Sequence, residues 1–162
     1  QVIVEPLKIA SETLANLEDS LLLFFTGASR SAAEVLRDQD TRTRDNASDM
    51  LENLHFTKQL GHESRDALLA ADLRKFADLM HVHWEHKKKR SPGMSSGFID
   101  EMYERARSHG ALGGKLIGAG GGGFLLLYTE DKTRLRSAMR GAGLREVRLQ
   151  FDFSGTSVLA HS

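Results

Sequence analysis

Apolar positions recur along this chain with two periods, and the switches between them mark out its elements. Val2-Ile3-Val4 reads as a short strand stopped by Pro6. Ser11 is a plausible helix N-cap, with Leu14, Leu17 and Leu21 following at helical spacing. Leu21–Phe25 is an unbroken apolar run, too short for a helix of its own and ended by Thr26-Gly27, which predicts a central strand buried on both faces. Ser31-Ala32-Ala33-Glu34 is a capping-box pattern and predicts a helix start.

From Asn46 to Lys88 the pattern is helical, with Met50 and Leu54 as one pair. Leu69, Leu73, Phe76, Met80 and Trp84 then form a stripe on one face. Gly61 is expected to separate or bend two helices. Ser91–Gly97 reads as the one clear linker. After it Ile99 (or Phe98), Met102, Tyr103 and Ala106 mark an amphipathic helix, with Asp100 and Glu101 in its first turn and Gly110 at C′. Phe124–Tyr128 is a second fully apolar strand. Leu135, Ala138, Met139 and Ala142 mark a helix closed by Gly143. Val147, Leu149, Phe151 and Phe153 alternate with polar residues as a one-face strand. Ser154-Gly155 is expected to turn it into a last strand, Thr156–Ala160. Strands at both ends with helices between predict an α+β fold, one domain over 1–162, its mostly antiparallel sheet covered by helices on one face.

Eight of the fifteen glycines fall between Gly110 and Gly123. Folding opposes such a run, because glycine gives up more backbone freedom than any other residue. The run makes sense where φ must be positive or where another group must approach closely. Successive bare N–H groups in such a turn form an anion nest, so phosphate is the first ligand to consider. Gly118, Gly120 and Gly123 satisfy G-x-G-x-x-G, but the dinucleotide fingerprint needs strand, loop, then helix, and here the order is reversed. Gly114-Lys115 has the ending of a P-loop, yet Leu116 stands where Ser or Thr should hold magnesium. A tight glycine turn at a crowded helix–strand junction is the plain alternative.

The stretch G-G-K-L-I-G-A-G-G-G-G-F resembles the C-terminal glycine motif of the GHMP small-molecule kinases, and within them the longer pattern is closest to the heptose-7-phosphate kinases. The matching parts are Leu21–Gly27, Trp84 followed by Lys87-Lys88, Ile99-Asp100 entering a helix, the glycine run, and Phe151–Gly155. The resemblance implies the ferredoxin-like C-terminal domain of these kinases. It also implies phosphoryl transfer from ATP with Mg2+ to the anomeric hydroxyl of a heptose 7-phosphate, chemistry that depends on positioning and charge stabilisation. Gly118, Ala119, Gly120, Gly121, Gly122 and Gly123 would line the transfer site. Arg30, Lys87, Lys88 and Lys115 are the candidate contacts to substrate phosphate. No stretch matches the family's ATP loop, magnesium ligand or catalytic aspartate. These are expected in an N-terminal domain outside these residues, with no catalytic residue here and a chain inactive alone. A fucokinase- or galactokinase-like enzyme acting on an unphosphorylated sugar, and a non-catalytic sugar-phosphate-binding module, are the alternatives.

Composition narrows this only a little. Twenty-two acids balance 22 bases, and the basic run His86–Arg90 lacks interleaved aromatics, which argues against a nucleic-acid partner or a membrane. Zero cysteines exclude disulfide and thiol chemistry and fit a reducing cytoplasmic compartment. His81, His83 and His86 lack the i, i+4 spacing of a helical zinc pair, so no metal site is expected from them. The chain opens on Gln1, directly in a strand-like pattern, which suggests a piece of a longer protein.

Overall fold

The computed structural model describes residues 5–27, 47–90, 95–118 and 122–155. The elements are α1 (Ser11–Ser20), β1 (Leu21–Phe25), α2 (Ala47–Leu69), α3 (Leu73–Arg90), α4 (Gly97–Ser108), β2 (Ala111–Ile117), β3 (Phe124–Thr129), α5 (Lys132–Gly141) and β4 (Arg145–Val147). The strands form one sheet in the order β2-β3-β1-β4, every pairing antiparallel. From β1 onward this is a βαββαβ path with α4 and α5 as crossovers and the α2–α3 hairpin inserted before α4, a ferredoxin-like α+β arrangement. The expected strands Val2–Val4 and Thr156–Ala160, and the helix start at Ser31, lie outside the described residues.

Alternation along the strands sorts the core. Leu22 and Phe24 of β1, Leu125 and Leu127 of β3 and Leu116 of β2 face one way and meet Ile99, Met102, Tyr103 and Ala106 of α4 and Leu135 and Met139 of α5. On the opposite face Leu21 and Tyr128 pack with Leu17 of α1 and Ala77 and Met80 of α3. Helices therefore lie on both faces, one more than expected. β1 is central between β3 and β4, and its side chains are buried or half-buried on both sides.

Several boundaries differ from the sequence expectation for identifiable reasons. Ser11 is the first helical residue, and the cap position Ala10 makes no side-chain bond. Gly61 does not break the helix: α2 runs through it from Ala47 to Leu69. A mid-helix glycine costs about 1 kcal/mol, whereas burying Leu60 against α3 contributes about 2 kcal/mol. The break falls at 70–72 instead. Ala71 takes φ 57°, its N–H bonds to the Leu68 carbonyl and that of Asp72 to the Ala67 carbonyl, a Schellman ending with alanine at C′. The Asp72 carboxylate then caps α3 at the Lys75 N–H, 3.0 Å away. Leu69 ends α2 and is 51% exposed, so the apolar stripe begins at Leu73.

The glycine run is only in part a turn. Its first half, Ala111–Ile117, is a strand, and its second half is the β2–β3 hairpin loop. The strand expected over 147–153 shrinks to Arg145–Val147. β1 begins at Leu21, immediately after α1, so an antiparallel neighbour has no partner much beyond Val147. The chain instead leaves the sheet, and the Phe151 N–H donates to Glu18 of α1 at 2.9 Å.

Candidate phosphate-binding site

The glycine loop is fixed at its two ends. Gly118 has φ 122° and Gly123 φ 120°, a region that L side chains rarely adopt. A Cβ on Gly123 would sit 2.6 Å from the Ile117 carbonyl oxygen. The buried Thr26, just past β1, accepts from the Gly123 N–H at 3.1 Å, while its own hydroxyl and N–H both reach the Gly123 carbonyl at 3.0 Å. The loop thus hangs from three strand ends. Ala119, Gly120, Gly121 and Arg30 lie outside the described residues.

Register places side chains in rows below this loop. Ile117, Phe124, Phe25 and Arg145 form the row nearest it, with the two phenyl rings 5.3 Å apart and the Arg145 guanidinium 5.7 Å over Phe25. Lys115, Leu126, Leu23 and Val147 form the next row, all half-buried.

Helix α3 runs beside this surface. It comes closest at Gly113, where an added Cβ would lie 1.8 Å from the Ala77 carbonyl oxygen. Six residues further along the helix, about 9 Å, His83 Nδ1 meets the Lys115 ammonium at 3.2 Å, two residues further along the strand. One turn on, Lys87 shares the face of His83. Glycine at 113 is what lets the helix approach closely enough for these groups to converge.

The electrostatics of the cluster are those of cations short of a counter-ion. Burial, then the charges of Lys115 and Lys87, push His83 down to about 4, so it is neutral near pH 7 and accepts the Lys115 N–H. Burial lowers Lys87 below the usual lysine range. Burial first, and then the Lys87 charge, does the same to Lys115. Neither lysine has an acidic partner within ion-pair distance among the described residues. Two half-buried ammoniums that repel one another form a site that a phosphate dianion would stabilise.

Lys88, proposed alongside Lys87, is directed elsewhere. It pairs with Glu85 at 2.7 Å, lies 3.7 Å from Asp100, and sits over the Trp84 and Tyr103 rings. His81 bonds the Tyr103 hydroxyl at 2.8 Å, Tyr103 donates to the Gly114 carbonyl at 3.3 Å, and His86 stacks on Phe56. Among the described residues no three His, Asp or Glu side chains converge as a metal-binding set. This donor set does not fit magnesium, and it does fit phosphate oxygens. Sequence reasoning missed the parts played by Thr26 and His83. The i, i+4 spacing of His83 and Lys87 was the available signal for the second; for the first it was the place of Thr26 at the end of the Leu21–Gly27 match.

His83 gives the fold an acid sensitivity of known sign. Its folded value lies below the ordinary 6.5, so between about pH 6.5 and pH 4 the unfolded chain takes up a proton that the folded chain refuses. That contribution to stability is complete above pH 6.5 and is lost as pH falls toward 4. The urea midpoint of His83→Gln should therefore drop less between pH 7 and pH 5 than that of the parent chain. An equal drop would show that His83 does not carry the effect.

The family described as GHMP kinases C terminal matches residues 64–143, which hold α3, α4, the glycine loop and α5. The chain is 32% identical over 142 residues to D-glycero-alpha-D-manno-heptose 7-phosphate kinase of Campylobacter jejuni, an alignment covering 86% of this chain and 41% of that protein. It is 30% identical over 133 residues to the bifunctional fucokinase/GDP-fucose pyrophosphorylase of Arabidopsis thaliana, covering 82% of this chain and 12% of that protein. Its structure aligns with a D-glycero-D-manno-heptose 1-phosphate kinase from Bacteroides thetaiotaomicron at TM-score 0.62 and 26% identity, over 93% of this chain and 39% of that one. The chain thus spans well under half the length of these relatives. Fold, glycine loop and family profile agree: this chain carries a GHMP kinase C-terminal domain.

Proposed function

We propose that this chain supplies the acceptor-phosphate side of a kinase that transfers the γ-phosphate of ATP to the anomeric hydroxyl of a heptose 7-phosphate. The observation that carries this reading is the pair Lys87 and Lys115, half-buried, depressed by burial and without a carboxylate partner among the described residues. A neutral sugar would leave that desolvated charge uncompensated, whereas a phosphorylated acceptor offsets it. The similarity to the Campylobacter heptose 7-phosphate kinase supports the same choice of acceptor.

In this reading Lys87 and Lys115 hold the acceptor's phosphate. The Phe25–Phe124 row offers a half-buried apolar floor for the sugar carbons. The glycine loop, anchored at Gly123 by Thr26, would line the transfer position without side-chain bulk, as the family resemblance implies. MgATP supplies the phosphoryl group. Its own binding groups belong to the part of the kinase that these residues do not include, so the chain alone binds the acceptor but does not turn it over.

The test is ADP release by the kinase containing this chain, with D-glycero-D-manno-heptose 7-phosphate, L-fucose and D-galactose as acceptors. Heptose 7-phosphate is expected to give a kcat/KM at least tenfold above the neutral sugars. Equal or higher values with fucose would move the reading to an unphosphorylated-sugar kinase. Binding of the heptose phosphate without any turnover would move it to a binding module.

A further inference from the structure

A cavity lies at the β4 side of the sheet, where α5 and β4 meet α1. Its volume is about 560 Å3, and its apolar floor includes Leu21, Leu22 and Val147. Leu21 and Leu22 open β1, whereas Thr26 closes it near the glycine loop. Lys115, proposed to hold the acceptor phosphate, shares a row with Val147 of this cavity but lies three strands across the sheet from it, about 14 Å at strand spacing. This cavity is not part of the acceptor site.

The charges that line it do not balance. Lys132, Arg136 and Arg140 project from α5 at i, i+4, i+8, and Arg148 follows β4. Glu18, Asp19 and Glu146 are the acids. Asp19 pairs with Lys132, and the Glu18 carboxylate accepts the Phe151 N–H at 2.9 Å. Glu146 serves two guanidiniums at once, taking Arg136 through both oxygens at 2.7–3.0 Å and Arg140 at 2.8 Å. The Arg136 hydrogen bonds are the main reason its carboxyl is held below the usual range. Arg148 has no ion pair among the described residues. Four cations against three carboxylates leave one positive charge in excess, carried where Arg140 and Arg148 line the same space.

We propose that this cavity binds a small organic phosphate, a phosphate monoester, at a site distinct from the acceptor site. Arg140 needs only one of its donors for Glu146, and the Arg148 fork is unpaired, so two guanidiniums can grip the phosphate oxygens. The apolar floor takes the carbon part. The volume falls within the range of small-molecule sites and exceeds what inorganic phosphate alone would fill.

The experiment is an NMR titration of the 15N-labelled chain with glycerol 3-phosphate, with inorganic phosphate and with sodium chloride at matched ionic strength. Saturable shifts are expected at Arg140, Glu146 and Arg148 with glycerol 3-phosphate, at least threefold tighter than with inorganic phosphate. The double variant Arg140→Gln/Arg148→Gln, whose spectrum reports directly whether it still folds, should bind at least tenfold more weakly. Lys115→Met should leave these shifts unchanged. Chloride reproducing the shifts, inorganic phosphate binding as tightly as the ester, or loss only in Lys115→Met would each overturn the proposal. Because the readout is local and involves no phosphoryl transfer, its failure is distinguishable from failure of the kinase reading.

Discussion

Gly113→Ala is expected to lower the unfolding free energy by about 3 kcal/mol, the upper end of what overpacking a filled interior costs. The methyl carbon would stand 1.8 Å from the Ala77 carbonyl oxygen and 2.6 Å from its carbonyl carbon. These are backbone atoms of α3, so no rotamer change relieves the clash. Helix and strand must part. Gly61→Ala is the matched control: nothing lies within 4 Å of its added methyl, and the site is inside α2. There alanine should stabilise by about 1 kcal/mol. Urea unfolding of both variants measures the contrast. A Gly113→Ala midpoint equal to that of the parent chain would disprove the close helix–strand seam.

Lys115→Met is expected to melt higher than the parent chain at pH 7 and to lose phosphate-dependent function. The folded Lys115 lies below its ordinary value because it is half-buried and Lys87 repels it. Its protonated form is therefore a burden on the folded state at neutral pH. That burden fades as pH rises through the folded value and is gone above about 10.5, where both states are neutral. Melting temperatures at pH 7 and pH 10 should show the gain shrinking. In the kinase assay the loss of one charge-assisted phosphate contact is about 1.5–3 kcal/mol, a rise in KM for the phosphorylated acceptor of about 10- to 150-fold. A KM within twofold of the parent would remove Lys115 from the site. The same substitution thus separates stability from recognition, the pattern the proposed acceptor role of Lys115 requires.

The parts of this fold legible in the sequence are those where local pattern and local chemistry coincide. Gly143 ends α5 in a Schellman turn, with its N–H on Arg140 and that of Leu144 on Met139, and glycine at that position announces it. The same turn ends α2, but there alanine stands at 71, so the signal was silent and Gly61 drew the boundary instead. β1 and β3 read plainly because both their faces are apolar. β2 did not, because Gly113 and Gly114 mask its period; glycine is there to admit a helix carbonyl and the Leu127 side chain. Of the expected 147–153 strand only Val147 is paired, because among the described residues β1 begins at Leu21 and offers no partner further on, which no local pattern records. The candidate site divides similarly. The glycine loop was evident from composition, whereas the convergence of His83 and Lys87 with Lys115 joins residues 28 to 32 apart and exists only once α3 lies along β2.

Lys115 has a second consequence through its position at the border of the sheet. β2 is the outermost of the described strands, with seven residues and two glycines, a shape that invites another chain to add itself. A charge carried on the covered face of such a strand is one of the ways proteins discourage that addition. The half-buried Lys115 ammonium, proposed above as a phosphate contact, would then also guard the edge against self-association. The methionine variant, for all its gain in melting temperature, would give up that protection and leave a bare β edge for fibrillar assembly.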